Sequence, residues 1–234
     1  MLILGIDTSG KSGGITLAEG DDRCFRALES SPIAGGTFSA QLVPGVASLL
    51  ATHGFTATDL EGFAVASGPG SFTGLRVGLS AVKGLAEVLG RPIATVSLLE
   101  AMAIASGKTG RVAAALDAGR AEIFFGLYEV SSGGARMIQE SLLSQVEFVE
   151  RLQLHLHSGN ADLAATVRCE DSLVAVASAA GVTSPVAAVK KPDSEMIARI
   201  GLRKLLAGET VSVEALDANY IRRSDAEIFA KAKP

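Results

Sequence analysis

The chain has 234 residues, 48% of them apolar, and a formal net charge of −4. That length holds one large domain or two small lobes with cores of their own. With aromatics at only 5% and no Trp, those cores must be built from Ala, Val, Leu and Ile. The acidic balance argues against a protein that holds nucleic acid alone, because such binding runs on neutralising phosphates.

Met1 to Asp7 has no basic leader and meets a charge at once, so it reads as a strand and not as a signal peptide. Leu2–Asp7 is short and mostly apolar, as in a buried strand. A Ser/Gly turn follows from Thr8 to Gly13, and Gly14–Ala18 and Arg23–Leu28 then give two further strands in an antiparallel meander. Asp7-Thr8-Ser9 ends the first strand. In phosphoryl-transfer folds such an Asp can hold a metal, and the hydroxyls can touch phosphate. The plainer alternative is a turn in which Asp7 or Ser9 bonds nearby backbone.

Ser39 to His53 is expected to be a helix. Leu42, Val43, Val46, Ala47, Leu49 and Leu50 form its apolar stripe, and Gly54 follows as a cap. Pro44 either marks its regular start or kinks it. Ser30 to Thr58 is the longest run without Asp, Glu, Lys or Arg, but its glycines, Pro44 and His53 break it well short of the ~20 apolar residues of a membrane span. The expectation is a soluble, cytoplasmic protein.

Gly62–Ser67 is a strand, Gly68-Pro69-Gly70-Ser71 a tight turn, and about Phe72 to Leu89 a helix ended by Gly90. Gly70, Gly74 and Gly78 recur every four residues and share one helical face. Gly74, Gly78 and Gly84 together cost roughly 3 kcal/mol of helix propensity, which close packing must offset. The smooth face meets either the protein's own sheet or a second subunit. No Gly-Lys-Ser/Thr follows, so the turn is not a P-loop, and Ser71 reads as a helix cap.

Pro92–Val96 is a strand, and Ser97 opens a short helix to about Ala105. Gly107–Gly110 then separates a second lobe, with strands at Arg111–Asp117, Glu122–Val130 and Arg136–Leu142 and a helix from Gln145 to about Leu152. His155 to Val189 is expected to hold a reduced βαβ unit. Asp193 to Leu206 is a helix capped by Asp193 or Ser194, and a strand or loop and a further helix fill Leu216 to Lys233. The lobes are expected to be 1–106 and 107–209, with 210–234 returning to the first.

The remaining candidates are weak. Cys24 and Cys169 read as free thiols, half-buried as small apolar residues. His155 and His157 would share a face on a strand but have no further ligands nearby, and His53 sits at a helix end. Asp117 with Arg120 suits a polar ligand or a charged turn. The basic pairs are Arg222-Arg223, Lys190-Lys191 and Arg203-Lys204. No Ser/His/Asp or Cys/His arrangement stands out.

Three stretches resemble the TsaB (YeaZ) family of threonylcarbamoyladenosine biosynthesis proteins. They are Leu4-Gly5-Ile6-Asp7-Thr8-Ser9, Gly68 to Gly78, and Asn219-Tyr220-Ile221-Arg222-Arg223, with Leu116-Asp117-Ala118, Arg120 and Glu122 similar as well. The likeness is faint from Leu154 to Val189. The resemblance implies a two-lobed α/β fold of the actin-like ATPase (ribonuclease-H-like, ASKHA) class. It also implies a scaffold role beside a catalytic TsaD-type subunit, which modifies the adenosine next to the tRNA anticodon. TsaD carries a His-x-x-x-His metal motif where this chain reads Val96-Ser97-Leu98-Leu99-Glu100-Ala101-Met102, so the resemblance implies neither a metal nor catalytic residues here.

The same resemblance implies pairing through the first two helices, with TsaD or with a second copy of the chain. Leu42, Val46, Leu49, Gly70, Gly74, Leu75, Gly78, Leu79 and Val82 are the expected contact. Asp7, Thr8 and Ser9 become a remnant nucleotide site. ATP or ADP is expected, if anywhere, at the partner interface, ATPase function comes from a TsaE-type subunit, and tRNA is met through the complex. The rival readings are a nucleotide-dependent kinase or carbamoyl transferase, and a metallopeptidase-like hydrolase.

Overall fold

The computed structural model describes residues 1–34, 36–157, 166–169, 171–181, 186–219 and 221. In chain order the elements are β1 (Leu2–Asp7), β2 (Ser12–Gly20), β3 (Phe25–Ala34), α1 (Phe38–Thr52), β4 (Gly62–Gly68), α2 (Phe72–Leu89), β5 (Ile93–Ser97), α3 (Leu98–Ala105), β6 (Gly110–Gly119), β7 (Glu122–Ser131), β8 (Gly134–Ser144), α4 (Gln145–His157), β9 (Thr166–Cys169), α5 (Asp171–Ala179), β10 (Val186–Ala188) and α6 (Ser194–Leu206). They form two compact units, Met1–Ser97 with Pro192–Asn219, and Leu98–Lys191.

Each unit carries one five-stranded sheet, and the two sheets share a plan. The first has the order β3-β2-β1-β4-β5, the second β10-β9-β6-β7-β8. In each, three strands run antiparallel in sequence, and two parallel strands are added on the other side of the first. The small residues after His155 do supply a β-α-β element, β9-α5-β10.

β1 is buried at every position because helices cover both faces of its sheet. Leu2, Leu4 and Ile6 join the core under α1 and α2, whereas Ile3 joins the cluster with Ala198, Leu202 and Leu205 of α6. On the α6 side the packing is built from the smallest residues. A Cβ on Gly201 would lie 2.1 Å from the Ala64 Cβ, and one on Gly5 would lie 2.6 Å from the Ala198 Cβ. Helix and sheet backbones therefore approach more closely than larger side chains allow.

This contact moves the lobe boundaries. α6, expected in the second lobe, lies on the first sheet, drawn there by the Gly5, Ala64 and Gly201 fit. α3, expected in the first lobe, belongs to the second unit, where Leu99 packs on Gly126 of β7. Residues 210–219 lie in the first unit, with Asn219 N–H donating to the Ser67 carbonyl at 2.7 Å. Tyr220, Arg222-Arg223 and the expected final helix lie outside the described residues.

The core of the second unit includes Ala113, Ala115, Ile123, Leu173 and Ala177, with Phe125 edge-on to Phe148 at 6.4 Å between ring centres. Its helix α4 opens with a capping box. Glu147 accepts from the Ser144 N–H and hydroxyl, both at 2.7 Å, and Glu147 N–H donates back to Ser144 Oγ at 3.2 Å. The backbone donor, then the hydroxyl, hold the Glu147 carboxyl below its ordinary value of 4.5. A carboxyl depressed by folding stabilises the fold above its unfolded pKa, and that stabilisation is lost as pH falls through the folded value. A Glu147→Gln variant should therefore show a shallower loss of stability on acidification below the ordinary glutamate range. Denaturant melts at stepped pH, compared with the parent, check this.

α4 runs through His157. His155 and His157 thus lie on a helix and not on the strand that a shared face would require. Among the described residues, no helix is long and apolar enough to cross a membrane. Among them too, no group of three or more His, Cys, Asp or Glu residues could hold a metal ion. Neither cysteine forms a disulfide; Cys24 is exposed and Cys169 buried.

Candidate functional site

The site lies in the first unit, where the turn after β1 meets the start of α2. β1 delivers Asp7, Thr8 and Ser9 to the end of the sheet, each at most 3% exposed. Asp7 Oδ1 accepts from the Ser9 N–H at 2.8 Å and from the Ser9 hydroxyl at 2.5 Å, so the carboxylate closes its own turn. The Thr8 hydroxyl donates to the Gly74 carbonyl at 2.8 Å, and Ser71 N–H donates to the Ser9 carbonyl at 2.7 Å. Ser71 also caps α2, its Oγ accepting from Gly74 N–H at 3.2 Å.

The four-residue glycine spacing serves this contact. A Cβ on Gly70 would stand 2.3 Å from the Ser9 carbonyl oxygen, one on Gly74 2.1 Å from the Thr8 carbonyl oxygen, and one on Gly78 2.3 Å from Thr8 Oγ1. Of the two neighbours the spacing left open, the glycines meet the protein's own chain and not a second subunit; Gly74 and Gly78 are buried, and Gly70 is exposed at the turn. They let α2 lie directly on the Thr8–Ser9 backbone. Gly84 has open space around its missing Cβ.

The expected apolar contact is corrected in the same way. Leu42, Val46 and Leu49 of α1 and Leu75, Leu79 and Val82 of α2 are all at most 5% exposed, in one core with Leu4, Ile6, Ile15 and Leu17. An amphipathic stripe buries itself in its own domain first. The other side of these two helices is the exposed one.

That outer side is unusual. α1 carries no charged residue along its 15 positions. Gln41, Val43, Pro44, Ala47 and Ser48 face solvent, Val43 with 57% of its surface exposed. Pro44 removes one internal bond, yet the helix continues through it. Between α1 and α2 runs a groove of about 550 Å³, lined by Phe38, Ser39, Leu42, Val43, Phe72, Thr73, Arg76, Val77, Ser80 and Ala81. Arg76 is the one charged residue among these, and its guanidinium stacks on the Phe72 ring at 3.9 Å. At the far end of α1, His53 Nε2 lies 3.0 Å from Glu29 Oε2.

The first hairpin of the second unit has a related turn. Asp117 Oδ1 accepts from Gly119 N–H at 2.7 Å, as Asp7 does from Ser9 in the first unit. Arg120 and Ala121 follow in left-handed backbone, with φ of 56° and 59°. That conformation is costly for side chains other than glycine, and it aims the Ala121 carbonyl at the Gln145 N–H of α4, 3.1 Å away. The carboxylate of Asp117 thus holds a charged turn.

Two sheets of the same 3-2-1-4-5 plan, with helices packed on their faces, define an actin-like (ribonuclease-H-like) α/β protein of two lobes. The family profile described as TsaD, tRNA N6-adenosine threonylcarbamoyltransferase, matches residues 32–228. The chain is 28% identical to an Escherichia coli protein named tRNA threonylcarbamoyladenosine biosynthesis protein TsaB, over 96% of each chain. It is 38% identical to the Bacillus subtilis protein of that name, over 57% of each. A solved Pseudomonas aeruginosa structure, described as similar to the peptidase YeaZ, superposes with a TM-score of 0.73 at 27% identity, covering 94% of this chain and 99% of that one. The chain belongs to this threonylcarbamoyltransferase family, in its TsaB/YeaZ branch.

Proposed function

We propose that this chain is a non-catalytic partner subunit in the threonylcarbamoyladenosine modification of tRNA next to the anticodon. It pairs with a TsaD-type catalytic subunit through the outer side of α1 and α2. The observation that carries the reading is the charge-free exposed face of α1 beside the α1–α2 groove. A solvated helix ordinarily carries charges on its outer face, and an exposed apolar surface of this kind marks an interaction site. The same surface allows pairing with a second copy when the catalytic subunit is absent.

The geometry of the Asp7 turn supports the non-catalytic part. A working phosphoryl-transfer site needs hydroxyl and backbone donors aimed at a ligand. Here the Thr8 hydroxyl is bonded to Gly74 and the Ser9 hydroxyl to Asp7. Asp7, Thr8 and Ser9 are then a remnant of the nucleotide site, kept as structure. On this reading the chain holds no tightly bound cofactor and no metal. Any ATP or ADP sits at the partner interface, a TsaE-type subunit supplies ATPase function, and tRNA is met through the complex.

Reconstitution tests this. A TsaD-type subunit given threonylcarbamoyl-adenylate and substrate tRNA should transfer efficiently only when this chain is present, and this chain alone should transfer nothing and turn over no ATP. ATP turnover by the isolated chain, or full transfer by the TsaD-type subunit without it, would contradict the reading.

A further inference from the structure

We infer that Thr8, wholly buried and out of reach of any partner, is the positioning residue of the α1–α2 groove; the inference rests on the reading of that groove as the pairing surface. The side of α2 and of its leading turn that faces Thr8 and Ser9 has no side chains at Gly70, Gly74 and Gly78. Nothing on that side can interlock with a neighbour as a leucine would. Leu75, Leu79 and Val82 anchor the helix in the core on the adjoining side; along the glycine side its depth and rotation rest on backbone contact and two hydrogen bonds, Thr8 hydroxyl to the Gly74 carbonyl at 2.8 Å and Ser71 N–H to the Ser9 carbonyl at 2.7 Å.

Of these two, only the Thr8 bond comes from a side chain, and it falls within the first turn of the helix. Phe72 and Arg76, two residues to either side of Gly74, lie about half a helical turn around from it, on the groove side. A rotation or lift of α2 at Gly74 therefore moves the Phe72–Arg76 pair directly. Thr8 is 1% exposed and the carbonyl partner of its hydroxyl belongs to an intact helix, so losing the bond leaves the fold its cores on both faces of the sheet. What changes is the register of the outer surface.

The test is the dissociation constant of the complex with the TsaD-type subunit, measured by titration calorimetry well below the unfolding temperature. There the folded fraction is essentially complete, and a purely stabilising role of Thr8 leaves the constant unchanged. Thr8→Val keeps the shape and removes the donor; Thr8→Ser keeps the donor. Valine should weaken pairing about tenfold, the scale of one net hydrogen bond, and serine should restore it to within about twofold of the parent. If Thr8→Val does not fold, Thr8→Ala, which only removes atoms, takes its place under the same criteria. Parent-like affinity of the donor-free variant, alongside loss of binding by Val43→Asp on the outer face, overturns the role of Thr8 alone. Parent-like affinity of Val43→Asp as well overturns the groove as pairing surface.

Discussion

Gly74→Ala should destabilise the protein by about 1–2 kcal/mol, although alanine is the better helix former. The added Cβ would lie 2.1 Å from the Thr8 carbonyl oxygen. That atom is backbone in a buried turn, and it yields only if the whole Thr8–Ser9 segment or α2 shifts. Overpacking against backbone at this distance falls in the upper part of the usual range, about 2–3 kcal/mol, against about 1 kcal/mol gained in helix propensity. Gly84→Ala on the same helix meets nothing within 4 Å and should stabilise by up to about 1 kcal/mol. In thermal melts the first variant should fall by roughly 2–8 °C and the second rise by roughly 2–4 °C. Equal shifts in one direction would mean that α2 does not rest on the turn through its glycine face. Gly78→Leu belongs with the destabilising variants, since its Cβ would stand 2.3 Å from Thr8 Oγ1. It is therefore a poor probe of pairing.

Val43→Asp should do the reverse. Val43 is 57% exposed on α1, so the isolated protein loses little, and its melting temperature should stay within about a degree, as for most surface changes. In a complex closed over that face, the carboxylate would be buried without a partner. Such burial costs several kcal/mol, and about 3 kcal/mol already weakens binding roughly a hundredfold. An unchanged affinity would place the partner elsewhere on the molecule.

Much of the first unit could be read from residues. The apolar run to Asp7, the stripe Leu42/Val46/Leu49 and the glycine repeat each fixed an element. What they could not give was direction. Glycines at four-residue spacing share a face, but the spacing does not name the neighbour, and here it is the backbone of Thr8 and Ser9. The leucines of α1 looked like a contact because they are its most apolar residues, and for that reason they lie in the core. The legible mark of the outer face was the missing charge from Ser30 to Thr58.

Long-range packing escaped the sequence for a different reason. α6 joins the first sheet through Gly5, Ala64 and Gly201, three small residues with no local pattern between them. The shared plan of the two sheets was equally hidden. Strand order is a property of pairing, and very different sequences satisfy it, as Leu2–Asp7 and Gly110–Gly119 do.

The most direct test of the account is light scattering during size-exclusion chromatography of this chain with a TsaD-type subunit from the same organism. The account predicts a complex heavier than either component, which is lost with Val43→Asp while Gly84→Ala still forms it. Independent elution of the two parent proteins under all nucleotide conditions, or a complex that Val43→Asp leaves intact, would contradict it.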